Sequence, residues 1–122
     1  MTVASQDADV RLGFTLGLRT PGSRPAWSFT MGGATVSGGA PETGEWAHLL
    51  GLYDAETGRA HLYVNGHEGG SAAEATPAGT SGAFQIGRAQ GATGYRDRWQ
   101  GDIGDVQVHD RVVVPGEAAE LA

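Results

Sequence analysis

Apolar and polar residues alternate along this chain in short runs. Val10, Leu12, Phe14, Leu16 and Leu18 take five alternate positions, with Arg11, Gly13, Thr15 and Gly17 between them. A period of two predicts a strand with one buried face. A turn cluster over residues 20–25 follows, and then Trp27, Phe29 and Met31 repeat the alternation against Ser28 and Thr30. The two runs are close enough to pair as a hairpin. Two Gly-Gly pairs bracket a short strand at residues 34–37. Residues 46–53 are apolar on both faces apart from His48, which predicts a central strand. Asp54-Ala55-Glu56-Thr57-Gly58 predicts a hairpin loop, and residues 61–64 its return strand. Asn65-Gly66 is the two-residue signature of a type I′ turn, where both residues need φ > 0.

The second half is less regular. Residues 69–80 are small and polar and predict a weakly specified loop or arm. A short strand is expected at 83–87, a long polar loop at 88–98 and a final strand at 101–109. Ile103 is out of step with Val106 and Val108, so Gly104 is a candidate bulge. Pro115 opens about one helical turn to Leu121, since Pro suits the first helical position. The core expected from these periods is Val10/Leu12/Phe14/Leu16/Leu18, Trp27/Phe29/Met31, Trp46, Leu62/Val64, Phe84/Ile86 and Val106/Val108.

Composition supports the same class. Glycine is 21 and proline 5 of 122 residues, a dose of turn formers that a helical bundle would not tolerate. Many short strands with Gly/Pro turns and almost no helix read as an all-β sandwich or barrel. The length allows one domain, residues 1–122. There is no Cys, which removes disulfides, thiolate metal sites and cysteine nucleophiles. Net charge is −6 and no basic run exists, so neither nucleic acid nor an anionic membrane surface is an expected partner. No apolar stretch approaches the 18 residues or so that a membrane span needs, and the N-terminus reads as having no signal peptide.

Three segments together resemble a known family. They are "GEWAHLLGLYDAETGRAHLYVNG" (residues 44–66), "FQIGRA" (84–89) and "WQGDIGDVQVHDRVVVPGEAAEL" (99–121). They are similar to the laminin G-like jelly rolls of the concanavalin A-like lectin/glucanase superfamily, to which pentraxins are related. The shared pattern is a Trp-x-His strand, an aromatic-Asp turn, a Tyr-Val-Asn-Gly hairpin, an Ile-Gly strand, a Gly-x-Ile-x-Asp-Val strand and a Pro-x-Glu helical turn. "VASQD" and "GFTLGL" resemble the early strands. The resemblance implies an antiparallel β-sandwich with jelly-roll topology. It also implies an extra strand or two before "SQD", so the chain reads as lacking its first strands. The exposed edge is then expected on residues 10–18, with self-association through it.

The resemblance shapes the candidate chemistry. The glucanase branch carries Glu-x-Asp-x-x-Glu on a strand, and that spacing is missing; Asp102 and Asp105, three apart, fall on opposite faces of a regular strand. No nucleophile elbow is present, and Ser23 and Ser81 sit in turn contexts. A non-catalytic module is therefore expected. His48, on the Trp-x-His strand, reads as structural. Asp54 reads as an Asx-turn residue, and Glu117 as an acid at a helix start. In pentraxin-like relatives, calcium ligands come from loops that map here to Asp9, to the Ala89-Gln90-Gly91 triplet and to Asp97. The triplet keeps only the Gln90 amide, so a weak calcium site of Asp9, Gln90 and Asp97 is the expectation. The ligand-binding candidates are Tyr95, Arg96 and Asp97, because Tyr95 sits in a polar loop with no periodic reason to be buried. The expected function is recognition of a carbohydrate or protein ligand through loops at one end of the sandwich, within a secreted or cell-surface parent. The alternatives are a structural accessory domain of a larger secreted glycan-active enzyme, or a degenerate glycoside hydrolase.

Overall fold

The computed structural model describes residues 1–6, 13–20, 24–73, 75, 84–90, 94–108, 117, 120 and 121. Among these residues ten strands run in order: β1 Thr2–Gln6, β2 Phe14–Arg19, β3 Ala26–Met31, β4 Ala34–Gly38, β5 Leu49–Asp54, β6 Arg59–Val64, β7 His67–Ala72, β8 Phe84–Ile86, β9 Ala89–Gln90 and β10 Tyr95–Arg96. They form a five-stranded sheet in the order β4-β3-β2-β1-β8, a three-stranded sheet β5-β6-β7 and a small β9-β10 pair. All described pairings are antiparallel. The fold is the expected all-β sandwich.

The predicted hairpins form. β2 pairs β3 from Phe14↔Met31 to Arg19↔Ala26, and β3 turns into β4 at Gly32-Gly33. Asp54 closes the β5–β6 loop: its Oδ1 accepts from the Glu56 amide at 3.0 Å, an Asx turn two residues long. Asn65 and Gly66 both have positive φ, 52° and 83°, as the β6–β7 turn requires. Asn65 also ties down the start of β5. Its amide donates to the His48 carbonyl at 2.8 Å, and its Oδ1 accepts from the His48 amide at 2.8 Å.

The sheets meet as a wedge. At one side β4 lies against β7, and a Cβ on Gly38 would stand 2.8 Å from the Gly69 carbonyl oxygen. A Cβ on Gly70 would meet the Val36 side chain at 3.0 Å. Only glycine permits that approach of backbones. It explains why the small residues predicted as a loop from 69 onward are instead the strand β7: their smallness serves packing between sheets. The core lies here, on Trp27, Phe29, Ala34, Val36, Ala60, Leu62 and Ala75. Toward the other side the sheets part. An open cleft of about 580 Å³ lies between them, with Phe14, Leu16 and Phe29 on one wall.

Several expectations are corrected. β5 starts at Leu49 rather than at residue 46, and among the described residues it is the edge of its sheet, not the centre. Its two apolar faces have separate causes. Gly51 on the inner face lies under the Phe29 ring, while Leu50 and Leu52 join Tyr63 and Leu121 in a second cluster on the outer face. Trp46, placed in the core by its period, precedes the strand and is 73% exposed. Residues 101–108 form no ladder with a described strand. Asp105 at φ 48° breaks strand geometry there, and Val106 and Val108 are exposed. On β8 the faces are reversed. Phe84 and Ile86 are exposed, and Gln85 is the buried residue. Finally, the expected open edge on residues 10–18 is closed along β2, which has β1 on one side and β3 on the other. Val10 and Leu12 lie outside the described residues, as do residues 115–116 of the expected helical turn; Glu117, Glu120 and Leu121 are helical.

Leu62, fully buried in the core, and Leu16, half-buried beside the cleft, should respond differently to truncation. Leu62→Ala is expected to cost about 2–5 kcal/mol and Leu16→Ala less than about 2. Urea unfolding of both variants measures this. Burial, and then the charge of Glu68, raise the Tyr63 hydroxyl above its ordinary range. The folded state therefore holds that proton longer than the unfolded chain, and stability falls as pH rises through and above about 10. Tyr63→Phe should flatten this alkaline loss, read as urea midpoints at about pH 9 and about pH 11.

Candidate functional site

The outer face of the five-stranded sheet is built from hydroxyls. Ser5, Thr15, Thr30 and Thr35 stand in one cross-strand row, and Thr30 and Thr35 hydroxyls are 3.2 Å apart. At the β1–β8 side, Thr2 and Ser5 are fully buried. What lies against them is a strap of residues 87–90 and 94–99, which carries β9 and β10.

The strap is pinned along its length. The Gly87 amide donates to the Val3 carbonyl at 2.7 Å, the Thr2 amide to the Asp97 carbonyl at 2.8 Å, and the Trp99 amide to the Gly87 carbonyl at 2.9 Å. Ser5 Oγ donates to the Arg88 carbonyl at 2.7 Å. Buried Gln85 is the polar centre beneath it. Its Nε2 donates to the Tyr95 hydroxyl at 3.2 Å, and its Oε1 accepts from Arg88 Nε at 2.8 Å. Arg88 then lays its guanidinium over the Tyr95 ring, 3.6 Å from the centroid. At the far end the Trp99 ring stacks on Trp27, with centroids 6.0 Å apart.

Tyr95, Arg96 and Asp97 are thus neighbours on one exposed, braced corner. Asp97 takes φ 56°, and its Oδ2 pairs with Arg19 Nη2 at 3.3 Å. Arg19 is itself a hub: Nη1 donates to the Met1 and Leu18 carbonyls at 2.9 Å each, and Nη2 to Thr2 Oγ1 at 3.1 Å. The Met1 amine beside it is lowered from its ordinary value, first by burial and then by the Arg19 charge, with Asp97 pulling the other way.

The three residues expected as ligand contacts therefore come together. The expected calcium set falls partly outside the described residues. Asp9 lies outside them, no side-chain placement is described for Gln90, and Asp97 Oδ2 is paired with Arg19. Among the described residues no cluster of three or more His, Cys, Asp or Glu could hold a metal. Sequence reasoning missed Arg19, Gln85 and Arg88, the residues that brace the corner. Gln85 was hidden because its apolar neighbours claimed the buried face by pattern.

The cleft carries Glu45, Asp102 and Asp105 at its rim. All three are exposed. Glu45 is raised by its hydrogen bond with Glu42 and by that neighbour's charge, ahead of any burial, and Asp105 accepts from Gln107 at 3.1 Å. A glycosidase acid is instead raised by an apolar enclosure.

A family model described as the concanavalin A-like lectin/glucanases superfamily matches residues 1–119. The chain belongs to this superfamily, within its laminin G-like branch. No curated protein and no solved structure gives a match. Together with the two antiparallel sheets, membership identifies the concanavalin A-like jelly-roll class and supports a lectin-like binding module. Laminin G-like domains are generally non-catalytic. Among the described residues, no helix is long and apolar enough to cross a membrane.

Both side chains of the Arg19–Asp97 pair are partly exposed, so Asp97→Ala is expected to cost less than about 1 kcal/mol. Arg19→Ala should cost about 1–3 kcal/mol, because three further acceptors lose a charged donor. Thermal unfolding of the two variants compares them.

Proposed function

We propose that this chain is a non-catalytic carbohydrate-recognition module and that its contact surface is the Tyr95–Arg96–Asp97 corner. The observation that carries this reading is the bracing of an exposed aromatic. Tyr95 is 39% exposed, yet its hydroxyl and ring are held by Gln85 and Arg88. A side chain already fixed in place loses little entropy on binding. Tyrosine offers an apolar body to a sugar ring and a polar tip to its hydroxyls, while Arg96 and Asp97 add a donor and an acceptor beside it. Loops on a rigid sheet are the usual place for such contacts.

The accessory-domain reading is favoured by a separate observation. Trp46 and Val108 are exposed large apolar residues that line the same cleft, and contiguous exposed apolar surface marks a contact with another protein.

A glycan array probed with the full chain tests the first reading. Binding to a restricted set of glycans is expected, weakened about tenfold or more by Tyr95→Ala, the loss of roughly 1.4 kcal/mol. Binding should survive chelation of calcium, since Asp97 Oδ2 is already paired with Arg19. No glycan bound, or equal binding by Tyr95→Ala, would overturn the proposal.

A further inference from the structure

The cleft between the sheets is bordered by two backbone edges. Residues 45–53 line it without a gap, and so do residues 102–108. Successive side chains of a strand point to opposite faces. A cavity under one face of β5 would therefore touch every second residue; a cavity that touches every residue runs along the edge. β5 pairs with β6 on one side only, and among the described residues its other edge has no strand. Residues 102–108 likewise join no described ladder. The wall opposite these edges is the inner face of the five-stranded sheet, with Phe14, Leu16, Phe29 and Met31.

One further observation describes the occupant. The ionised side chains on the lining, Glu45, Asp102 and Asp105, are all acidic, on a chain of net charge −6.

We infer that the cleft is a slot for one β-strand supplied by a partner polypeptide, apolar at alternate positions and basic at the others. The inserted strand pairs with the edge of β5 that has no partner among the described residues, lays its apolar residues on Phe14, Leu16 and Met31, and sets its basic residues against the acidic rim. Strand addition of this kind takes affinity from main-chain hydrogen bonds and specificity from alternate side chains. Residues 49–53 offer a run of about 16 Å at roughly 3.3 Å per residue, an ordinary strand length. A second copy of this chain is the poorer occupant, because it brings the same acidic charge to an acidic rim. The inference is independent of the Tyr95–Asp97 corner and supplies the chemistry of the partner for the accessory-domain reading; a failed glycan array leaves it untouched.

The test uses the full chain and a ten-residue synthetic peptide in which valine and isoleucine alternate with arginine and threonine. Calorimetry should show one peptide bound per chain, and amide hydrogen exchange should show new protection along β5. Two central prolines should weaken binding about tenfold or more, because proline cannot donate to a ladder. Glutamate in place of arginine should weaken it to a similar degree. The exposed double variant D102N/D105N should bind the arginine peptide several-fold less tightly, with β5 still protected on saturation. No binding, equal binding of the proline peptide, or binding without protection on β5 would overturn the slot. A dimer in light scattering without peptide, with β5 already protected, would overturn the partner in favour of a second copy.

Discussion

The close approach of β4 and β7 sets the shape of this sandwich. Gly38 and Gly69 let two backbones come together where any side chain would hold them apart. Val36, Ala60 and Leu62 then fill the narrow side of the wedge and are almost wholly buried. Larger side chains, among them Phe14, Leu16 and Trp99, belong to the wider side and stay partly open. Packing density in a protein interior leaves little free volume, so the two sides cannot both be closed by the same set of side chains. The narrow side closes fully, and the cleft is what remains of the other.

Two surfaces follow from that arrangement, and they differ in how they are held. The strap over the outer face is held by polar contacts, from Ser5 and Gln85 beneath to Arg88 over Tyr95. It presents Tyr95, Arg96 and Asp97 on a fixed frame. The cleft is apolar, rimmed by acids, and bordered by an edge of β5 that has no partner among the described residues. An unpaired edge is an invitation to another strand, whereas a braced corner suits a small polar ligand. A chain of this superfamily can carry both kinds of contact on opposite sides of one sheet.

Gln85 shows how a single register decides a site. On β8 the residue between two apolar neighbours is buried, and it is buried because the strap lies on its side of the sheet. Reversing the faces of that short strand would send Phe84 and Ile86 under the strap and leave Tyr95 and Arg88 without their common partner. A strand of three residues has too few alternations to state its own face, so its long-range neighbours choose it.

What the chain determines by itself is local. The period-two runs of β2 and β3, the return strand β6, the Asx turn at Asp54 and the Asn65-Gly66 turn rest on backbone sterics and on contacts within a hairpin, and they are legible as residues in order. The all-β class follows from the number of such runs and the turn residues between them, and the family resemblance from motifs in the same segments. The tertiary structure decided the rest. Gly69 and Gly70 look like loop residues until a second sheet passes over them. Trp46, Val106 and Val108 look like core residues because their pattern is apolar, but burial needs a partner surface, which the described part of the chain does not bring to them. The pairing of Asp97 with Arg19, 78 residues apart by their numbers (97 − 19), has no local signal at all. It exists because β1 and the strap are laid side by side, and sequence periodicity carries no information about which distant segments become neighbours.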